Sequence, residues 1–154
     1  MRISEEGSPM RVRDWMSPDP ITVTPFTDVA EARRLLHRYG IRHLPVVDHG
    51  RVAGIISDRD VQITDAALDE MVRRTSAPGR AVPGEAVGEG VSVGTVMSSP
   101  AHMISDGESV EAASRLMLSR RISALPVIGD DGDLLGIITT TDCLLASLTP
   151  QHAM

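Results

Sequence analysis

Apolar and polar positions along this chain fall into short segments whose period alternates between two and about 3.6 residues. Ile21-Thr22-Val23-Thr24 alternates and is bracketed by Pro20 and Pro25, which predicts a short strand. Val29, Ala32, Leu35, Leu36 and Tyr39 follow at helical spacing. Asp28 is the expected N-cap, Glu31 completes a capping-box pattern, and Gly40 supplies the stop. Residues 41–47 and 51–56 read as the two strands of a hairpin about Asp48-His49-Gly50. Pro45 inside its strand implies an edge or an interrupted ladder. A further helix is expected over 61–74, with Ile63, Ala66, Ala67 and Met71 as its apolar side.

The same succession then returns. Val12, Met16 and Ser17 recur as Val93, Met97 and Ser98, and Val29, Ala32, Arg34 and Leu35 recur as Val110, Ala113, Arg115 and Leu116. Ile41-Arg42-His43-Leu44-Pro45-Val46-Val47 recurs as Ile122-Ser123-Ala124-Leu125-Pro126-Val127-Ile128, an offset of 81. Gly54-Ile55-Ile56-Ser57-Asp58-Arg59-Asp60 recurs as Gly136-Ile137-Ile138-Thr139-Thr140-Thr141-Asp142 at an offset of 82, because the turn Gly129-Asp130-Asp131-Gly132 carries one extra residue. Ser109 is the expected cap of the second copy's helix, with Val110, Ala113, Leu116 and Met117 as its buried stripe. Each copy is too short to bury a generous core alone, so two copies form the natural unit. The expected division is a first motif over 12–75, a Pro/Gly-rich linker over 76–92, a second motif over 93–148, and tails over 1–11 and 149–154. Linker composition over 76–90 predicts a mobile connector.

Composition narrows the classes. The chain is 42% hydrophobic but only 2% aromatic, so aliphatic side chains, Met and Ala must do the packing. A net charge of −6 argues against a nucleic-acid partner, which needs a basic face to displace counterions. All 15 basic residues are Arg, whose planar fork suits phosphate and carboxylate. No apolar run approaches membrane-spanning length and the first residues lack a signal-peptide core, so no membrane is expected and the predicted location is cytoplasmic. A single cysteine, Cys143, excludes an internal disulfide and reads as a small packing residue.

The candidate chemistry lies where the last strand of each copy meets a helix. A Ser or Thr followed three residues on by an acid is a capping box, and Ser57 with Asp60, or Thr139 with Asp142, satisfies that role. The same groups can also bind a ligand. A helix N-terminus collects anions, and a hydroxyl beside a carboxylate can grip a ribose diol; Gly54 or Gly136 would let a ligand approach the backbone. Gly90-Val91-Ser92-Val93-Gly94 matches the nucleophile-elbow pattern, but a linker precedes it where a core strand is required, so the match is read as chance. The five His show no metal-ligand spacing, and no metal is expected. No nucleophile–base–orienter set is visible, which argues against an enzyme.

The paired Leu-Pro-Val-Val/Ile strands, each followed by Gly-Ile-Ile-Ser/Thr-x-x-Asp, resemble the CBS-domain family, whose motifs occur in tandem pairs called Bateman modules. The resemblance covers 12–75 and 93–148. It implies an α/β fold of α+β type, with each motif a β-α-β-β-α unit on a three-stranded sheet and the two related by a pseudo-twofold. It also implies a regulatory module that binds an adenine nucleotide of the AMP, ADP or ATP type between the motifs, with no cofactor required.

By that resemblance Asp60 and Asp142 hold ribose hydroxyls, with Ser57 and Thr139 near the ribose or α-phosphate. Backbone at Ile21, Thr22 and Val23, and at Ala101, His102 and Met103, meets the adenine edge. Leu44, Pro45, Ala124, Leu125 and Pro126 line the pocket. Arg42, His43 and Arg59 face phosphates, and Thr141 stands where Arg59 stands in the first copy. The stretch 12–61 has seven Arg and seven acids, whereas 93–143 has three Arg and seven acids, so the first copy reads as a phosphate-competent site and the second as a poorer or nucleoside-only one. The resemblance further implies a homodimer, through faces that include Leu35, Leu36, Leu116 and Met117, and an effector protein as partner. The alternative from another class is a ligand-free dimerisation or docking module.

Overall fold

The computed structural model describes residues 9–75 and 90–150, so the predicted connector over 76–90 lies almost wholly outside the described residues. In chain order the elements are α1 (Val12–Trp15), β1 (Ser17–Pro18), α2 (Val29–Tyr39), β2 (His43–Asp48), β3 (Arg51–Ser57), α3 (Asp58–Thr75), α4 (Val93–Val96), β4 (Ile104–Ser105), α5 (Val110–Arg120), β5 (Ala124–Ile128), β6 (Leu134–Thr139) and α6 (Thr140–Leu148). They assemble into two compact units. A central unit spans Ile21–Ala101, and a terminal unit joins the residues through Pro20 to those from His102 onward.

Sequence repeat and packing unit do not coincide, because the two copies exchange their leading segments. The first copy's β1 pairs antiparallel with β6 of the second copy, Ser17 opposite Ile137 and Pro18 opposite Gly136. Reciprocally, Ser98 bridges Ile55, with the Ile55 N–H donating to the Ser98 carbonyl at 3.1 Å and the Ser98 N–H to the Ile55 carbonyl at 2.9 Å. Val12 and Val93 anchor the two segments and are fully buried, each contributing about 1.5–3 kcal/mol of burial. Glycine makes the close approach feasible. A Cβ at Gly54 would lie 2.6 Å from the Ser98 carbonyl oxygen and 2.7 Å from Met97 Sδ; one at Gly136 would lie 2.6 Å from Met16 Sδ and 2.7 Å from the Ser17 carbonyl oxygen. The space before these glycines is thus filled by the chain itself, which corrects the expectation that they admit a ligand.

In the terminal unit the sheet runs β1-β6-β5-β4, so the exchanged β1 adds a fourth strand to the expected three. In the central unit β2 and β3 form the hairpin, joined by a two-residue turn in which His49 and Gly50 both have positive φ, the geometry that matches strand twist. The predicted strand at residues 21–24 shrinks to one parallel bridge, Val23 to Val46, since prolines close in on both sides. The Val23 N–H donates to the Pro45 carbonyl at 3.1 Å, and the Val47 N–H to the Val23 carbonyl at 2.8 Å. The ladder to β2 therefore starts at the Pro45 carbonyl, where the missing proline N–H loses no bond.

The cores are aliphatic, as the composition requires. Val23, Val29, Ala32, Leu36, Leu44, Val46, Ile56, Val61 and Val93 fill the central unit. The terminal core contains Leu125, Val127, Ile138, Met117 and Cys143 among others. Leu36 and Met117 therefore serve the cores and are not available to a partner, and Leu35 and Leu116 pack half-buried against them. Ser109 caps α5 as predicted, accepting from the Ala112 N–H at 3.0 Å, and Gly40 ends α2 in the left-handed conformation. Asp28 does not cap with its side chain. The Val29 N–H donates instead to the Val91 carbonyl at 2.8 Å, and Glu31 pairs with Arg34. Helix α3 also departs from expectation: it turns Val61 and Thr64 inward and leaves Ile63, Ala66, Ala67 and Met71 exposed. Burial of Thr64 is tolerated because its hydroxyl donates to the Asp60 carbonyl at 2.8 Å.

Candidate functional site

The β3–α3 junction of the central unit is a reciprocal cap. The Ser57 N–H and hydroxyl both donate to Asp60 Oδ2, at 2.9 and 3.0 Å, and the Asp60 N–H returns a bond to Ser57 Oγ at 3.2 Å. The β6–α6 junction of the terminal unit repeats it: the Thr139 N–H and hydroxyl donate to Asp142 Oδ2 at 2.8 and 3.0 Å, and the Asp142 N–H donates to Thr139 Oγ1 at 3.4 Å. The capping reading of these motifs is therefore correct. It also uses only one oxygen of each carboxylate. Oδ1 of Asp60 and of Asp142 has no hydrogen-bond partner among the described residues, and both acids are partly exposed. Each junction offers a fixed acceptor beside a helix N-terminus, suited to a diol whose phosphate reaches the helix end.

The flanking strand brings up the other predicted residues. In the central unit His43 pairs across the hairpin with Ser57, and the Asp58 N–H donates to the Arg42 carbonyl at 2.9 Å. In the terminal unit Ala124 pairs with Thr139, and the Thr140 N–H donates to the Ser123 carbonyl at 3.0 Å. The backbone is the same and the side chains differ: Arg42, His43 and Arg59 in one unit against Ser123, Ala124 and Thr141 in the other. The Arg42 and Arg59 side chains are exposed and make no ion pair among the described residues. Asp58, which the sequence did not single out, faces His43 electrostatically; its only signal was the acid directly after Ser57.

Burial pushes the His43 pKa below its ordinary 6.5, with Asp58 and Asp60 pulling it back up and Arg42 adding to the fall. A base with a depressed folded-state pKa binds fewer protons folded than unfolded, so its stability contribution is intact well above 6.5 and declines as pH falls toward the folded pKa. His43→Gln is expected to reduce the loss of melting temperature between about pH 8 and pH 5. An unchanged slope in the variant would contradict this origin.

The remaining predicted residues are distributed unevenly. Val23 has both backbone groups engaged by β2, whereas Ile21 and Thr22 have no backbone hydrogen bond among the described residues. Ala101 closes the central unit, and His102 and Met103 open the terminal one with exposed side chains. Leu44, Pro45, Leu125 and Pro126 are fully buried and Ala124 nearly so, which leaves only their backbone to meet a ligand. Ser92 of the nucleophile-like pattern caps the short α4 by position, and its hydroxyl pairs with that of Thr95 at 2.8 Å. A surface depression of about 600 Å³ on α2, lined by Glu31, Arg33, Arg34, Leu35, His37 and Arg38, contains none of the residues expected to bind the nucleotide. Among the described residues no helix is long and apolar enough to cross a membrane, and no three His, Cys, Asp or Glu side chains gather as metal ligands.

Comparison with known proteins bears on the family and the fold. The CBS domain family matches residues 12–62 and 93–149. A CBS domain-containing protein of Bacillus subtilis, YhcV, is 30% identical over 92% of this chain and 89% of its own length. The solved structure of CBSX2 in complex with AMP superposes with a TM-score of 0.70 at 30% identity, over 90% of this chain and 96% of that one. The inosine-5'-monophosphate dehydrogenase of Methanocaldococcus jannaschii is 32% identical over 88% of this chain, but the match spans only 23% of the dehydrogenase.

Proposed function

Because the chain belongs to the CBS-domain family, we propose that it is a non-enzymatic regulatory module that binds an adenine nucleotide at the capped starts of α3 and α6. The observation that carries this reading is the unused Oδ1 of Asp60 and Asp142, held in place by caps of the same geometry. Ribose hydroxyls donate to these oxygens, and backbone at residues 21–22 and 101–103 meets the adenine edge. Arg42, Arg59 and His43 select phosphorylated ligands at the Asp60 site, while the Asp142 site favours the nucleoside part. The AMP complex of CBSX2 supports this choice of ligand class. The module works in the cytoplasm as a homodimer, reports adenylate state and passes it to an effector protein.

A thermal-shift series with adenosine, AMP, ADP, ATP, NAD and S-adenosylmethionine tests the reading. An adenine nucleotide at 100 times its dissociation constant is expected to stabilise the fold by about 2.7 kcal/mol, with the ligand recovered unchanged by chromatography. No shift with any of the six would favour the ligand-free docking module, and turnover would revive an enzyme.

A further inference from the structure

The two units set different groups beside caps of the same geometry. His43 stands directly opposite Ser57 in the β2–β3 ladder, as Ala124 stands opposite Thr139 between β5 and β6. Directly opposed residues point to the same face of a sheet, with Cβ atoms about 4.5–5.5 Å apart. The imidazole therefore lies beside the Ser57–Asp60 cap, on the face opposite buried Leu44 and Ile56. The fold does not need a titratable ring there, since Ala124 fills the corresponding position with the same backbone bonds around it. His37, His49 and His102 are exposed, so among the described histidines only His43 is half-buried.

We propose that His43 takes up a proton from water when a phosphate binds at the Asp60 cap, so that phosphorylated ligands are held more tightly as pH falls. This rests on the nucleotide reading above and adds a solution condition to which that site responds. The charges that act on the ring are Asp58 and Asp60 on α3, which favour its proton, and Arg42 beside β2, which opposes it. In the free chain burial outweighs both carboxylates and holds the pKa below 6.5. A phosphate brings up to two further negative charges and neutralises Arg42, and both changes favour the imidazolium. Adenosine covers the same site without bringing charge. The pKa therefore rises on binding AMP but not adenosine, and the proton is taken up between the free and bound values. The Asp142 cap has Ala124 in this place, so the response belongs to the central unit.

Proton NMR of the His43 ring, assigned by its absence in His43→Gln, reads the pKa of the free chain, with adenosine and with AMP. Calorimetry at pH 8 and pH 6 reads AMP affinity in the wild type and in His43→Gln; the titration of AMP's own phosphate is common to both and cancels. AMP is expected to raise the His43 pKa by about one unit or more, which is a tenfold change in equilibrium, and adenosine not to raise it. From pH 8 to pH 6 the wild type is expected to gain roughly 5–10-fold in AMP affinity relative to the variant. Asp58→Asn keeps the backbone bond to the Arg42 carbonyl and is expected to lower the ring's pKa in both states, moving the response to lower pH. A His43 pKa that is the same with AMP as with adenosine overturns the proton linkage and leaves the nucleotide reading standing. So do AMP affinities that change in parallel with pH in wild type and His43→Gln. Absence of AMP binding by the wild type at both pH values overturns both.

Discussion

Gly54→Ala and Gly136→Ala are each expected to destabilise the protein by roughly 3 kcal/mol, the upper end of the overpacking range. The added methyl group meets the Ser98 carbonyl oxygen at 2.6 Å in one case and the Ser17 carbonyl oxygen at 2.7 Å in the other. A methionine sulfur also stands in the way, but it ends a flexible side chain, whereas the carbonyl belongs to the exchanged backbone. Met97→Ala should therefore fail to rescue Gly54→Ala. Urea denaturation reads both variants through the transition midpoint. A loss below about 0.5 kcal/mol, the scale of an ordinary surface change, would mean that the leading segments do not dock on these glycines.

Asp60→Ala carries the largest expected effect on binding. Loss of the Oδ2 cap costs about 1 kcal/mol of stability, as it does for Asp142→Ala. Loss of Oδ1 weakens nucleotide binding by about 1.5–3 kcal/mol, roughly 10–150-fold, if ribose donates to it. The two units separate by ligand. Asp142→Ala should matter less for AMP and ATP, because no Arg flanks its cap at the positions of Arg42 and Arg59. Arg59→Ala should weaken AMP and ATP and flatten their salt dependence while adenosine binding holds. Equal losses from both Asp variants for every ligand, measured by calorimetry, would remove the asymmetry.

What the sequence disclosed and what it hid divide along contact range. Caps, stops and turns are local, so Ser57 with Asp60, Thr139 with Asp142, Ser109, Gly40 and the His49-Gly50 turn could all be read from a few neighbouring residues. The exchange of leading segments could not. Nothing near Ser17 signals that its ladder partner is Ile137, and the glycine that permits the pairing looked like room for a ligand.

The face of α3 misled for a related reason. An apolar stripe at helical spacing says that some surface wants cover but not which one. Here the core took Val61 and a threonine bonded to its own helix, and left Ile63 and Met71 outside. Of the residues expected at the adenine edge, Val23 has both backbone groups held by β2, a pairing between segments twenty-odd residues apart that its neighbours in sequence do not signal.

Nucleotide recognition at the capped helix starts is tested most directly by an amide NMR titration of the full chain with AMP. The expected result is saturable shifts at Thr22, at Ser57 through Asp60, and more weakly at Thr139 through Asp142. Saturation with shifts confined to the α2 surface from Glu31 to Arg38, or no shift at millimolar AMP, would contradict it.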